Sequence, residues 1–401
     1  MREESRRWSQ LHEKPFSPAR VEHANDRNPD RRLRVGYLFA NPHRHFEAVL
    51  SHHDRELYEI FAYSNVQTLD PAVRHMHRFA EQWRRIAGRS DEEVFRAIVD
   101  DQIDILVDMA GHAAHNRLLV FARRPAPVQL SHLGIPVDSG LESIPYRISD
   151  EHLDPPGATL PRGTLGEGRC QGSQDGHQVL HLPCSYWCYL TPMSNPAVSA
   201  LPAREHGFIT FGTLNDISKL TSASIQLWSQ VLRRIPTSRL LLLVPPGKSA
   251  DQILLDRFEQ NEIARDRIEL VERTSTEEYL KLYARIDIGL DPVPYNGHTT
   301  SIDSLWMGVP IVTLRGTRAV GRGGVSLLSS IGMSELIAGL TDAYVQIATD
   351  LANDLPKLQD IRENLRARVG ASCLVHVAGY TREVEAIYRD LWHRWCRAMD
   401  Q

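Results

Sequence analysis

The run Asn296-Gly-His-Thr-Thr-Ser301 puts a tight turn and a cluster of polar donors just past an apolar strand pattern and just ahead of a helical one. A helix start of this kind presents unpaired backbone N–H groups and the positive end of a dipole, the chemistry of a diphosphate cradle. In that reading Thr299, Thr300 and Ser301 begin the helix, and His298 donates to a phosphate or packs beside it. Asp303, in the first helical turn, accepts from ribose hydroxyls. The same residues would also make an ordinary cap with an acidic dipole partner. Their place at the end of a strand favours the anion. A second segment, Phe211-Gly-Thr-Leu-Asn-Asp-Ile-Ser-Lys219, is a strand end, a glycine turn and a polar loop closing on one lysine. The Lys219 ammonium would stabilise charge developing on a departing diphosphate, although a lysine at a helix start is also an ordinary solvated cation.

Such residues need a frame. Residues 34–39, 58–63 and 103–109 read as strands of a first half, with helical stretches to about residue 53 and over 92–100 between them. Residues 207–212, 239–244, 267–271, 286–290 and 310–314 read as strands of a second half, with an amphipathic helix over 222–234. Strands separated by helical patterns pair in parallel, so the fold class is α/β with two doubly wound, Rossmann-like sheets joined by a Gly, Pro and Ser-rich linker at 155–176. A ligand cleft between the halves, at the carboxyl ends of the strands, is expected. The boundaries are an N-terminal linker or helix at 1–30, a first domain at 31–205, a nucleotide-binding domain at 206–375 and a packing helix at 376–401. That last helix carries Ile387, Tyr388, Leu391, Trp392 and Trp395 at helical spacing.

Composition narrows the classes. At 401 residues the chain exceeds one core, and 42% hydrophobic with 24% charged residues is ordinary for a globular enzyme. A net charge of −4 supplies no basic field for nucleic acid. No apolar run reaches the roughly 18 residues that cross a bilayer, and the polar start is no secretory signal. Cys184 and Cys188 are half a zinc site without a second pair at metal spacing. The five cysteines, Cys170, Cys184, Cys188, Cys373 and Cys396, are expected as reduced thiols of a cytoplasmic protein.

Taken together, Leu33-Arg-Val-Gly-Tyr37, Asp104-Ile-Leu-Val-Asp-Met-Ala-Gly-His112, Asn116-Arg-Leu-Leu, Arg124-Pro-Ala-Pro-Val-Gln129, Leu214-Asn-Asp-Ile-Ser-Lys219, Pro294-Tyr-Asn-Gly-His-Thr-Thr300 and Leu305-Trp-Met-Gly308 resemble the catalytic region of the O-linked N-acetylglucosamine transferases, bacterial type, without their tetratricopeptide repeats. The resemblance implies the two-domain GT-B architecture, a UDP-sugar donor, a protein or peptide acceptor, inversion at the anomeric carbon and no required metal or cofactor. It puts Lys219 on the diphosphate lysine, His298, Thr299 and Thr300 on the phosphate-binding turn, and Asp303 on the ribose acid. His112 falls in the Gly-His stretch beside the active site, and Tyr279 replaces a histidine that stacks on uracil. For the base that takes the acceptor proton, His43, His45 and His112 are candidates. Arg124 and Arg322 are cations that would line the cleft or merely close a helix.

The departures from the family pattern are specific. The loop after Tyr37 is about five residues short where the family carries an active-site histidine, and Asp216 replaces an amide, which sets a carboxylate near the phosphates unless it is turned away. Gly134-Ile-Pro-Val137 loses a glycine, and residues 163–176 depart from the usual pattern. Three functions follow: transfer of N-acetylglucosamine to Ser or Thr hydroxyls of proteins, the same reaction from UDP-glucose, or UDP-sugar binding without catalysis. An epimerase of the same architecture runs against the resemblance.

Overall fold

The computed structural model describes residues 2–16, 22–40, 44–67, 71–156, 178–192, 194–247 and 251–398. The chain divides into two compact units: residues 1–154, 171–190 and 376–401 form one, and residues 155–170 and 191–375 the other. The expected linker at 155–176 lies almost wholly outside the described residues.

The first unit is built on seven parallel strands: β1 (Leu33–Phe39), β2 (Tyr58–Ser64), β3 (Gln82–Arg85), β4 (Ile105–Asp108), β5 (Val128–Ser131), β6 (Tyr146–Asp150) and β7 (Gln178–Leu182). Their order is β3-β2-β1-β4-β5-β6-β7. The second unit holds β8 (Thr210–Thr213), β9 (Arg239–Val244), β10 (Ile268–Glu272), β11 (Ile288–Leu290), β12 (Ile311–Leu314) and β13 (Ile337–Ala338), also parallel, in the order β10-β9-β8-β11-β12-β13. In each sheet the chain starts in the middle, winds outward, returns and winds the other way. The loops after β1 and β4, and after β8 and β11, therefore diverge at a switch point where ligands bind in such folds.

Burial on both faces explains why the central strands read as apolar runs. Leu240, Leu241 and Leu242 of β9 and Val35, Tyr37 and Leu38 of β1 are fully buried. β3, Gln82-Trp-Arg-Arg85, carries no such signal because it is an edge strand with no fully buried residue. The C-terminal helix Val377–Arg397 belongs to the first unit. It buries Val384, Tyr388, Leu391 and Trp392 against β1, β2 and the helix Arg44–His52, each large side chain contributing about 1.5–3 kcal/mol on burial. A buried polar chain locks it there: Tyr37 Oη lies 2.7 Å from His53 Nε2 and 3.1 Å from Tyr388 Oη, and His53 Nδ1 lies 2.8 Å from Glu385 Oε1. The N-terminal helix Arg2–His12 joins the same unit through Glu13, whose carboxylate accepts from the amides of Glu142 and Ser143 at 2.9 and 2.8 Å.

The expectation of five reduced thiols is corrected at two of them. Cys184 and Cys373 are each disulfide-bonded, whereas Cys188 and Cys396 are buried thiols. Among the described residues no helix is long and apolar enough to cross a membrane.

Candidate diphosphate site

β8 and β11 are hydrogen-bonded neighbours, so the loops leaving their carboxyl ends meet. The loop after β8 ends in the short 3-10 turn Ile217–Lys219, which brings Lys219 back toward the sheet. Its Nζ donates to the carbonyl of Asn296 at 2.9 Å and sits 4.1 Å from the ring centre of Tyr295. Burial pulls its pKa down to about 8, with Asp291 and Asp216 acting in the opposite direction. The loop after β11 runs from Asp291 to the helix Thr299–Trp306.

His298 is the cap residue of that helix and makes no side-chain capping bond. The cap thus differs from the expected Thr-Thr-Ser arrangement, and the first-turn N–H groups receive no acceptor from the capping side chain. The His298 ring lies 5.2 Å from that of Tyr295 and packs directly on Gly323, where a Cβ would come within 2.7 Å of His298 Cδ2. Asp303 is corrected in position: it is the fifth helical residue, past the first turn, and only 2% exposed. The helix does begin at Thr299, as expected, which leaves Asp303 just beyond its first turn.

Under the helix start lies a small open pocket whose lining includes Thr213, Asn215, Tyr283, Asp291, Thr300 and Ser301. Asn215 is buried and its Nδ2 donates to Thr213 Oγ1 at 3.0 Å, while its Oδ1 has no hydrogen-bond partner. Tyr283 donates to the carbonyl of Thr300 at 2.9 Å, and its hydroxyl lies 2.9 Å from that of Tyr279. A half-buried aromatic ring at 279 is thereby tied to the helix start.

The remaining candidates are spread more widely. Asp216 is exposed; its carboxylate accepts from the Ser218 amide at 3.0 Å and lies 3.7 Å from Arg273, which holds its pKa below the usual range. Arg322 is buried ahead of the helix Gly323–Ser330 and donates to the Gly316 carbonyl at 3.3 Å. Three others belong to the first unit. Arg124 is exposed just past the helix Leu118–Ala122 with a left-handed φ of 54°. His112 follows β4, and its Nε2 donates to the Ser139 carbonyl at 2.7 Å. His45 is 1% exposed and its Nδ1 donates to the Cys188 carbonyl. His43 lies outside the described residues.

Sequence reasoning missed Asp291, Asn215 and Tyr283. Asp291 is 2% exposed, and burial raises its carboxyl to about 6 against the opposing pull of Thr313, Gly297, Lys219 and Ser301. An acid directly after a strand and six residues ahead of a glycine turn was the available signal.

Two parallel-sheet units of this order, with a cation and a helix start meeting at the second switch point, have the fold of the GT-B glycosyltransferases. Anabaena HepE, solved with UDP and glucose, shares that fold alone, at a TM-score of 0.54 and 11% identity over 88% of this chain and 100% of that one. A family model, glycosyl transferase family 41, matches residues 6–159 and 198–384, and the chain belongs to that family. The Thermobaculum terrenum O-GlcNAc transferase, solved as a mutant, superposes with a TM-score of 0.90 at 31% identity, covering 99% of this chain and 74% of that one. A probable UDP-N-acetylglucosamine–peptide N-acetylglucosaminyltransferase, SPINDLY of Solanum lycopersicum, is 35% identical over 388 residues, 93% of this chain and 40% of that protein. A second probable UDP-N-acetylglucosamine–peptide N-acetylglucosaminyltransferase, SEC of Arabidopsis thaliana, is 28% identical over 386 residues, 91% of this chain and 38% of that protein. The chain thus spans about two fifths of the length of these curated relatives.

Proposed function

We propose that this chain transfers N-acetylglucosamine from UDP-N-acetylglucosamine to Ser or Thr hydroxyls of protein acceptors, with inversion. The observation that carries the reading is the half-buried Lys219 ammonium bound to the turn that opens the helix Thr299–Trp306. In the reaction the acceptor oxygen bonds to the anomeric carbon as the bond from that carbon to the β-phosphate oxygen breaks. The acceptor proton passes to a base, and UDP leaves with its negative charge against Lys219 and the N–H groups at Thr299 and Thr300. Tyr279 supplies a face for uracil, and Asp303 and Arg322 complete the donor side. For the base, exposure favours His112 over His45: with Nε2 donating to Ser139, His112 presents Nδ1 as its proton acceptor.

Lys219 supplies the charge that a metal would otherwise bring, so we propose a reaction without a metal. Asp216 is one of the departures behind the binding-only alternative, alongside the shortened loop after Tyr37, and the engagement of its carboxylate by Ser218 and Arg273 weakens that part of the case. The test is release of the nucleotide and labelling of a mixed protein acceptor, run with UDP-N-acetylglucosamine, UDP-glucose and sugars carried on other nucleoside diphosphates, with and without EDTA. Labelling from UDP-N-acetylglucosamine that survives EDTA supports the proposal. Turnover of another nucleotide's sugar in its place overturns the donor, and binding without turnover overturns the activity.

A further inference from the structure

One buried acid beside the diphosphate site has no part in the proposed reaction. Asp291 stands at the carboxyl end of β11, and its carboxylate joins the turn to β12. Oδ1 accepts from the Gly297 amide at 2.7 Å and from Ser301 Oγ at 3.3 Å, while Oδ2 accepts from Thr313 Oγ1 at 2.7 Å. Its backbone carbonyl also accepts from Tyr344 Oη at 3.3 Å. Close packing makes the arrangement specific, because a Cβ on Gly324 would lie 2.6 Å from Oδ2 and 2.3 Å from Thr313 Oγ1. A buried acid held this way is expensive to keep in a fold whose stability it does not obviously serve.

We infer that Asp291 is a positioning residue of the diphosphate site: its ionised carboxylate clamps the turn 296–301 and keeps the adjacent Lys219 protonated. Gly297 and Ser301 bracket His298, Thr299 and Thr300, so the clamp sets where their N–H groups point. Asn296, one residue ahead of the clamp, offers the carbonyl that receives Lys219. Charge-assisted bonds are about twice as strong as neutral ones, which explains an acid here rather than an amide. The titratable groups facing Asp291 are Lys219 from the loop after β8, His298 from the turn itself and the Tyr344 phenol from the helix Thr341–Asn353. Burial keeps that phenol well above its ordinary range, hence neutral. Burial raises the pKa of Asp291 and the Lys219 cation opposes that rise, as expected of a carboxylate held in a dry site beside one cation. The inference rests on the proposed diphosphate reading of the site.

The test compares the full chain with its Asp291→Asn and Thr313→Val variants, using UDP affinity by calorimetry and the pH profile of kcat/KM for the donor. Asp291→Asn keeps shape and is expected to bind UDP about tenfold more weakly, in line with loss of charge-assisted bonds. Its profile should lose the Asp291 step of the acid limb, leaving only that of the acceptor's base, and its alkaline limb should move to lower pH because Lys219 has lost its partner. Thr313→Val removes one donor from the carboxylate and should shift the acid limb upward; it keeps the inference testable even where Asp291→Asn fails to fold. A merely structural acid would lower the whole profile without moving either limb, and unchanged limbs with unchanged affinity overturn the inference. Failure of the unsubstituted chain to bind UDP is a different result: it overturns the diphosphate reading, and this inference with it.

Discussion

The ammonium of Lys219 donates to the carbonyl of Asn296 at 2.9 Å, so the cation of one switch-point loop is fastened to the turn of the other. Neither loop alone makes an anion site. Together they set one positive charge and one helix start within the same unit, and the proposed chemistry is drawn from that pairing.

Removing the cation tests its role in the leaving-group step. Lys219→Ala should lower turnover by about two to three orders of magnitude, as loss of one preorganised stabilising group does elsewhere. The fold, followed by circular dichroism, should persist. Steady-state kinetics with the sugar donor checks this, and turnover within a few-fold of the parent removes Lys219 from the mechanism.

The pH profile has a predictable shape. Lys219 is held near 8 and Asp291 near 6 in the free protein. The account requires the first protonated and the second ionised, so kcat/KM should fall below about pH 6 and above about pH 8. A bound diphosphate favours the charged lysine and raises its pKa, so the alkaline limb of kcat should lie at higher pH than that of kcat/KM. Initial rates between pH 5 and pH 10 read both limbs.

A cation kept in a buried site lowers stability. Because the folded pKa of Lys219 is depressed, its contribution to stability is complete only above its ordinary value of 10.5 and is lost as pH falls through about 8. Lys219→Met should therefore stabilise the ligand-free protein by about 1–3 kcal/mol at pH 7 and much less at pH 10. Thermal melts at the two pH values measure the difference. Equal destabilisation at both would show that the hydrogen bond to Asn296 outweighs the burial of charge.

The aromatic pair is the next handle. Tyr283 links Tyr279 to the Thr300 carbonyl. Tyr283→Phe should weaken UDP binding about three- to tenfold, the worth of one or two hydrogen bonds. Tyr279→Ala should weaken it more, by about 1–3 kcal/mol for a lost base-stacking face, and Tyr279→Phe much less. Calorimetric titration with UDP ranks the three, and the reverse order contradicts stacking at residue 279.

How much of this the residues announced depended on how local the signal was. The helix Ser222–Arg234 and the strand Arg239–Val244 were legible to the residue, because an amphipathic period and a run of four leucines need no tertiary knowledge. β3 and β7 were not, since edge strands with partly exposed residues lack both patterns. Lys219 and the Thr299 helix start were visible as a polar loop and a donor-rich turn. Asp291 was not: its partners Ser301 and Thr313 lie 10 and 22 residues away, and only the parallel pairing of β11 with β12 brings them to one carboxylate. The position of Asp303 failed for a simpler reason: the helix start at Thr299 was read correctly, but Asp303 lies just past the first turn.

The most direct test of the central claim is a crystal structure of this protein soaked with UDP. The account predicts the β-phosphate within hydrogen-bonding distance of Lys219 Nζ and of the backbone N–H groups at Thr299 and Thr300, with uracil against Tyr279. UDP bound elsewhere, or a diphosphate that touches neither Lys219 nor the helix start, would contradict it.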